Sequence, residues 1–244
     1  MGEEIERTLR ALKMHGFDAV FAENKEAAKK TILDLIPEGT LVGIGDSTTL
    51  FQTGVIEQLH ARGISIINPF SAKTFKLKIW RSVAARSIQA DIFLTGTNAV
   101  TQDGKLVNVD NVGNRVAGMI FGPEKVMIVV GRNKIVIDVD EALHQIKEVI
   151  APQHAKTRGF KVPCASTGKC VDCEVKERTC HVITIIERRP ALTEVKVVLI
   201  DEDLGLGWNS HWSTERINKI KTEYEKHVWN PPAENIVNIE NKAS

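Results

Sequence analysis

All four cysteines of the 244-residue chain lie between Cys164 and Cys180, spaced C-x5-C-x2-C-x6-C. Thiols so close together, with none elsewhere, have the chemistry of a tetrathiolate metal centre, because the thiolate is the ligand form of cysteine. A four-iron cluster takes four cysteines and tolerates one remote ligand. Zinc takes the same set, usually as two short knuckles, and only Cys170/Cys173 makes one here. Paired disulfides are disfavoured in a reducing compartment. The reading is therefore a 4Fe-4S cluster first, zinc second, and bare thiols or a redox disulfide third. His181 follows Cys180 and could replace a ligand, although a surface or packing histidine is the plainer reading. Lys161, Lys169, Lys176 and Arg178 could offset the charge of a thiolate cluster, or simply solvate a loop.

Three loops carry a second kind of chemistry. Gly43-Ile44-Gly45-Asp46-Ser47-Thr48-Thr49 follows an apolar strand and opens a helix. Glycines and hydroxyls there suit a phosphate or carboxylate, so Gly43, Gly45, Asp46, Ser47 and Thr48 are candidate anion ligands. A plain glycine turn with Asp or Ser as helix cap is equally weighted. The segment from Thr95 to Arg115 crowds Asn98, Asp103, Asn108, Asp110, Asn114 and Arg115 together. An Asp and an Arg beside a strand end could supply acid–base and anion-binding groups, with Asn98 and Asn114 as further ligands. Satisfying backbone in a complicated turn is their ordinary use. Gly131-Arg132-Asn133-Lys134 adds two cations, and Lys134, Asp110 and Arg115 are the candidate catalytic set.

These groups need elements to hold them. Helical spacing of Ile5, Leu9 and Leu12 predicts a first helix stopped at Gly16. Strands are expected at 17–22, 41–44, 64–67, 91–94 and 125–130, with helices between them. Asn24 is expected to cap the helix that ends near Leu35. A longer helix is expected over 71–89, a short one over 113–121 and another over 139–150. VTQDGKLVNV reads as a hairpin turning at Asp103-Gly104. Such alternation predicts an α/β fold: a mostly parallel sheet, helices on both faces, and an inserted β-hairpin. From Ala151 the pattern breaks into a loop-like excursion with the cysteines at 160–182; two strands, 181–186 and 195–200, follow. The domain reading is one α/β unit over 1–205 and a tail over 206–244. That tail holds Trp208, Trp212 and Trp229, and Ser213 is expected to cap a helix striped by Ile217, Ile220, Tyr224 and Val228.

Composition excludes some classes. With 32 basic and 31 acidic residues, no basic surplus marks a dedicated nucleic-acid binder. No apolar run reaches the length of a membrane span. The N-terminus, MGEEIERTLRALKMHG, is acidic and amphipathic rather than a secretory leader, so a cytoplasmic protein is expected.

The run DIFLTGTNAVTQDGKLVNVDNVGNRVAGMIFGPEKVMIVVGRNKIV, with VGIGDSTTL upstream and VVLIDEDLGL downstream, resembles the LUD-domain family of lactate-utilisation proteins over residues 1–205. The resemblance implies a three-layer α/β fold, shared with ribose-5-phosphate isomerase, glucosamine-6-phosphate deaminase and CoA transferases. In that group the glycine loop commonly binds phosphate or acyl carriers, and Asp110 lies near an acidic position used by some sugar-phosphate isomerases. Iron–sulfur members occur among lactate-utilisation proteins. The implied function is a redox or accessory protein of lactate oxidation to pyruvate, with redox partner subunits and a small anionic metabolite as partners. This chain departs from that pattern in carrying its cysteines beside the LUD part, without an eight-cysteine ferredoxin module. Two alternatives stand beside it: an enzyme acting on a phosphorylated sugar or acyl substrate, with Asp110 or Asp103 as acid–base, or a non-catalytic binding module. Whether the chain forms a homo-oligomer is left open by the sequence.

Overall fold

A computed structural model describes residues 1–71 and 76–230. In chain order the elements are α1 (Glu3–Met14), β1 (Asp18–Ala22), α2 (Lys25–Asp34), β2 (Leu41–Ile44), α3 (Thr48–Gln52), α4 (Val55–Ala61), β3 (Ser65–Ile67) and α5 (Leu77–Ser87). Then come β4 (Ile92–Gly96), β5 (Ala99–Thr101), β6 (Leu106–Asp110), α6 (Asn114–Ile120), β7 (Lys125–Gly131), β8 (Ile135–Val136) and α7 (Val139–Gln145). The rest are α8 (Ala151–Thr157), α9 (Pro163–Thr167), β9 (Val182–Ile186), β10 (Glu194–Ile200) and α10 (Thr214–His227).

Six strands form one parallel sheet in the order β1-β10-β7-β4-β2-β3. Side chains alternate across a strand, so β7 sends Met127 and Val129 to one face and Val126, Ile128 and Val130 to the other. The first pair packs with Ile32 of α2 and with Leu50, Val55 and Leu59 of α3 and α4. The second set packs with Ile5, Leu9 and Leu12 of α1 and with Val116 and Met119 of α6. Helices therefore cover both faces, as the apolar runs require. Asn24 caps α2 by accepting the Ala27 N–H at 2.9 Å, and Ser213 likewise accepts from Arg216 at the start of α10.

The hairpin is more than an insertion. β5 and β6 pair antiparallel and are extended by β8 and β9 into a second sheet, ordered β8-β5-β6-β9. β9 runs antiparallel to β6 with Val182 opposite Asp110, and the His181 N–H donates to the Asp110 carbonyl at 3.1 Å. The cysteine-bearing segment is thereby returned to the end of β6.

Two expected boundaries move. The helix after β2 divides at Gly54, whose φ of 67° is left-handed, into α3 and α4. The helix expected to end at Ile150 continues through a π-helical turn, Ile146–Ile150, into α8. Pro152 has no N–H to give, and the wider turn accommodates it: the Ala151 N–H reaches back five residues to the Ile146 carbonyl. Residues 151–157 are thus helix rather than loop. Of the helix expected over 71–89, α5 covers Leu77–Ser87, and 72–75 lie outside the described residues. No helix among the described residues is long and apolar enough to cross a membrane.

Candidate functional site

Loops at the carboxyl ends of β2, β4, β7 and β10 surround a cavity of about 650 Å³. Open parallel sheets place their ligand sites at this edge. Asp46, Ser47 and Thr48 follow β2; Gly96 ends β4, and Thr97 and Asn98 follow it; Lys134 follows β7; Gly205 and Leu206 follow β10. Ile150, His154 and Arg158 enter from the π-turn and α8, and Tyr224 from α10.

The glycines of the first loop are not part of the lining. A Cβ on Gly43 would lie 1.9 Å from the Ser87 carbonyl oxygen, and one on Gly45 would lie 2.6 Å from Thr95 Oγ1 and 2.8 Å from the Phe93 ring. They let α5 and β4 approach, a packing reason for glycine at both positions, while Asp46, Ser47 and Thr48 of the same loop line the cavity. Ser47 caps α3, accepting the Leu50 N–H at 3.2 Å. Asp46 remains as a cavity group. Burial raises its carboxyl, while Arg158, with Nη1 3.9 Å from Oδ2, and Arg115 oppose the rise.

Arg115 is fully occupied by the fold. Nη1 donates to the Gly96 carbonyl at 3.2 Å and Asn108 Oδ1 at 2.7 Å, and Nη2 to Asn98 Oδ1 at 2.8 Å and the Val109 carbonyl at 2.6 Å. Nε lies 3.6 Å from Asp110 Oδ2. Asp110 in turn accepts the backbone N–H groups of Gly113 and Val116, holding the start of α6. Asn98 Oδ1 also accepts the Val109 N–H. Arg115, Asp110 and Asn98 thus form one strut between β4, β6 and α6, and although all three border the cavity their hydrogen bonds are internal. Asn114 differs: its Nδ2 is buried with no partner among the described residues, and the side chain lines the cavity. Asp103 lies away from the cavity, bound to Thr101 and Lys105 in the hairpin turn.

The two cations after β7 part company. Arg132 points outward to Asp201 and Asp203, each at 3.1 Å. Lys134 turns in, 7% exposed, and its Nζ donates to Thr49 Oγ1 and the Thr97 carbonyl, both at 2.9 Å. No carboxylate pairs with it among the described residues. Burial, assisted by Arg115, pulls its ammonium down to about 7. Near neutral pH Lys134 can therefore offer a cation to an anion or a neutral amine.

His154 and Arg158 lie outside every motif discussed above. They belong to α8 and its cap, where no periodic apolar signal flagged a helix. His154 Nδ1 lies 2.5 Å from the Tyr224 hydroxyl, and burial, with Arg158 and Arg115, lowers the imidazole to about 3. Burial pushes the Tyr224 phenol up, so this pair stays neutral at physiological pH. The Arg158 side chain is 9% exposed, and its guanidinium lies 5.1 Å from the Phe160 ring centre and 5.0 Å from that of Trp229. Its Nε has no hydrogen-bond partner among the described residues. A wider reading of the pattern Ile146, Ile150, His154, Arg158 would have exposed one continuous helical face.

Part of the cysteine segment forms a wall of the same cavity: Lys176, Glu177, Arg178, Thr179 and Cys180 line it. Arg178 ties the segment together, donating from Nη1 to the Cys173 carbonyl at 2.7 Å, from Nε to the Cys180 carbonyl at 3.0 Å and from Nη2 to Asp172 at 2.7 Å. Asp172 has a φ of 46° in the turn between Cys170 and Cys173, and its N–H points at Cys170 Sγ at 3.4 Å. All four thiols are free and half-buried. Burial, then Cys180, Cys173 and Cys170, pushes the Cys164 thiol up; burial also raises Cys180, with Cys170 and Cys173 adding to it. The donor set is therefore four thiols within electrostatic reach of one another, a chemistry that fits a thiolate-bound metal. Among the described residues no three His, Cys, Asp or Glu side chains are already drawn into a metal cage. His181 Nδ1 is 2.9 Å from Asn111 Oδ1 rather than among the thiols.

The tail tryptophans separate. Trp208 and Tyr224 pack into a core with Ala99, Val107 and Ile146, Trp212 stacks under the Arg216 guanidinium at 3.4 Å, and Trp229 meets Phe70 at the cavity.

Comparison with known proteins adds a family. No curated protein matches the chain. Among solved structures, a DUF162 family protein from Deinococcus radiodurans is similar, at 13% identity and a TM-score of 0.47, over 81% of this chain and 96% of that one. Ribose 5-phosphate isomerase A from Methanocaldococcus jannaschii is similar at 16% identity and a TM-score of 0.32, over 48% of this chain and 56% of that one. A D-ribose-5-phosphate isomerase in complex with phospho-erythronic acid gives 18% identity and 0.33, over 54% and 61%. The LUD domain profile matches residues 5–200, most of the chain, so the protein belongs to the LUD-domain family.

Proposed function

We propose that this LUD-domain protein is an iron–sulfur redox or accessory protein of lactate utilisation. In this reading Cys164, Cys170, Cys173 and Cys180 hold a 4Fe-4S cluster beside a cavity that binds a small carboxylate. The observation that carries the reading is that Cys180 belongs both to the four-thiol segment and to the wall of the cavity. When bound, such a cluster supplies one-electron transfer.

The remaining roles fall to the chain's own side chains. Lys134 and Arg158 supply positive charge to a bound carboxylate, and Asn114 Nδ2 offers a further donor. Arg178 holds the carbonyls of Cys173 and Cys180, fixing the shape of the thiol segment. Arg115 and Asp110 keep the strand ends in register. With the cluster bound, the chain would serve a lactate-oxidising system as an electron-transfer or accessory subunit beside its redox partner subunits.

The sugar-phosphate reading has less support, because Asp110 and Arg115 spend their hydrogen bonds within the fold.

Protein purified without oxygen is expected to be brown and to contain iron and acid-labile sulfide in equal amounts, both lost in Cys170→Ser. Colourless protein with stoichiometric zinc would overturn the electron-transfer role and leave the metal structural. Carboxylate affinity is expected to fall as pH rises above about 7, because free Lys134 then sheds the proton an anion needs. Lys134→Met is expected to abolish that dependence in calorimetric titrations.

A further inference from the structure

Lactate is smaller than a phenylalanine side chain, whereas the cavity measures about 650 Å³, within the range that encloses a drug-sized ligand. The space beyond the cations is aromatic. Phe70 stands edge-to-face with Trp80 at 6.3 Å and with Trp229 at 5.3 Å, and the Arg158 guanidinium lies 5.1 Å from the Phe160 ring centre and 5.0 Å from that of Trp229. All four rings line the cavity, together with Leu77 and Ile150. Arg158 sits at the seam. Its guanidinium touches two of the rings, and its Nε is buried without a hydrogen-bond partner among the described residues. A buried donor left unpaired is costly, so an acceptor from a ligand would be well rewarded there.

We infer that the preferred occupant of this cavity is a carboxylic acid with an aromatic body, a 2-hydroxy acid of the phenyllactate type, rather than lactate itself. The hydroxy-acid part of this inference rests on the lactate-utilisation reading; the aromatic part rests on the cavity walls. The carboxylate meets Arg158, and the ring lies against Phe70, Trp80 and Trp229, where offset and edge contacts between aromatic groups are favourable. A cation held by the same rings would fix the acid end relative to the aromatic end.

Calorimetric titration of the anaerobically purified full-length protein with 3-phenyllactate, L-lactate and the uncharged 3-phenyl-1,2-propanediol tests this. Phenyllactate is expected to bind roughly tenfold or more tightly than lactate, with the diol weakest. Trp80→Leu should weaken phenyllactate by roughly tenfold and leave lactate unchanged, whereas Arg158→Gln should weaken both acids. Equal or tighter binding of lactate by the wild-type protein overturns the inference, as does a diol that binds as well as phenyllactate. The wild-type comparison stands alone if a variant fails to fold. Iron analysis of the same sample separates the two readings: aromatic preference without iron removes the cluster, and iron without aromatic preference removes this ligand class.

Discussion

Two buried arginines border one cavity and are used in opposite ways. Every nitrogen of Arg115 faces an oxygen of the fold, from Gly96, Asn98, Asn108, Val109 or Asp110. Arg158 is as deeply buried, yet it leans on two aromatic rings, reaches Asp46 only at 3.9 Å and leaves Nε unpaired. A fold that satisfies one guanidinium completely and leaves the other open has a strut in the first place and, in the proposed reading, a receptor in the second. The difference teaches that a dense polar motif can be architecture, while the group free to meet a ligand comes from a segment without one.

Breaking the strut should do the most damage. Arg115→Ala strands Asp110 and the amide oxygens of Asn98 and Asn108, and is expected to cost about 3–5 kcal/mol in urea unfolding. A loss below about 1 kcal/mol would remove the contrast with Arg158.

On the receptor side the neutral imidazole of His154 sets an acid limit. Its folded pKa of about 3 lies below the unfolded value near 6.5, so the unfolded chain binds more protons between these values. Stability is therefore complete above about pH 6.5 and falls as pH drops toward 3, by on the order of a few kcal/mol. His154→Gln should flatten that decline in melting temperature against pH. An unchanged slope would mean that His154 is solvated in the folded state.

Gly45→Ala is expected to cost about 1–3 kcal/mol by overpacking against Thr95 and Phe93, with carboxylate affinity preserved in the folded fraction. Selective loss of affinity would restore the loop to ligand binding. Smallest of all, Arg158→Gln should change stability by about 1 kcal/mol or less, because the guanidinium reaches Asp46 only at 3.9 Å and the Asp46 carboxyl, already raised by burial, can take up a proton when that charge is gone.

Much of this fold is legible in the sequence for simple reasons. The runs at 41–44 and 125–130 are apolar on both faces, as central parallel strands must be, and Asn24 and Ser213 stand where helix caps belong. The site is less legible. Gly43 and Gly45 look like a cradle because a glycine needed for close packing and one needed for a ligand have the same side chain. Asp110 and Arg115 look catalytic because sequence does not reveal which hydrogen bonds are already spent. His154 and Arg158 lie beyond Ala151, where the apolar pattern breaks off although the helix continues through a π-turn past Pro152. That Cys180 reaches the cavity follows from the pairing of β9 with β6, a contact between segments far apart in sequence that no local pattern announces.

The central claim is that a metal held by the four cysteines adjoins an anion-binding cavity, and electron paramagnetic resonance tests it directly. Anaerobically purified protein, reduced with dithionite, is predicted to give a cluster signal whose shape shifts when 3-phenyllactate or L-lactate is added. The absence of any cluster signal, or a signal indifferent to both acids at saturation, would contradict the account.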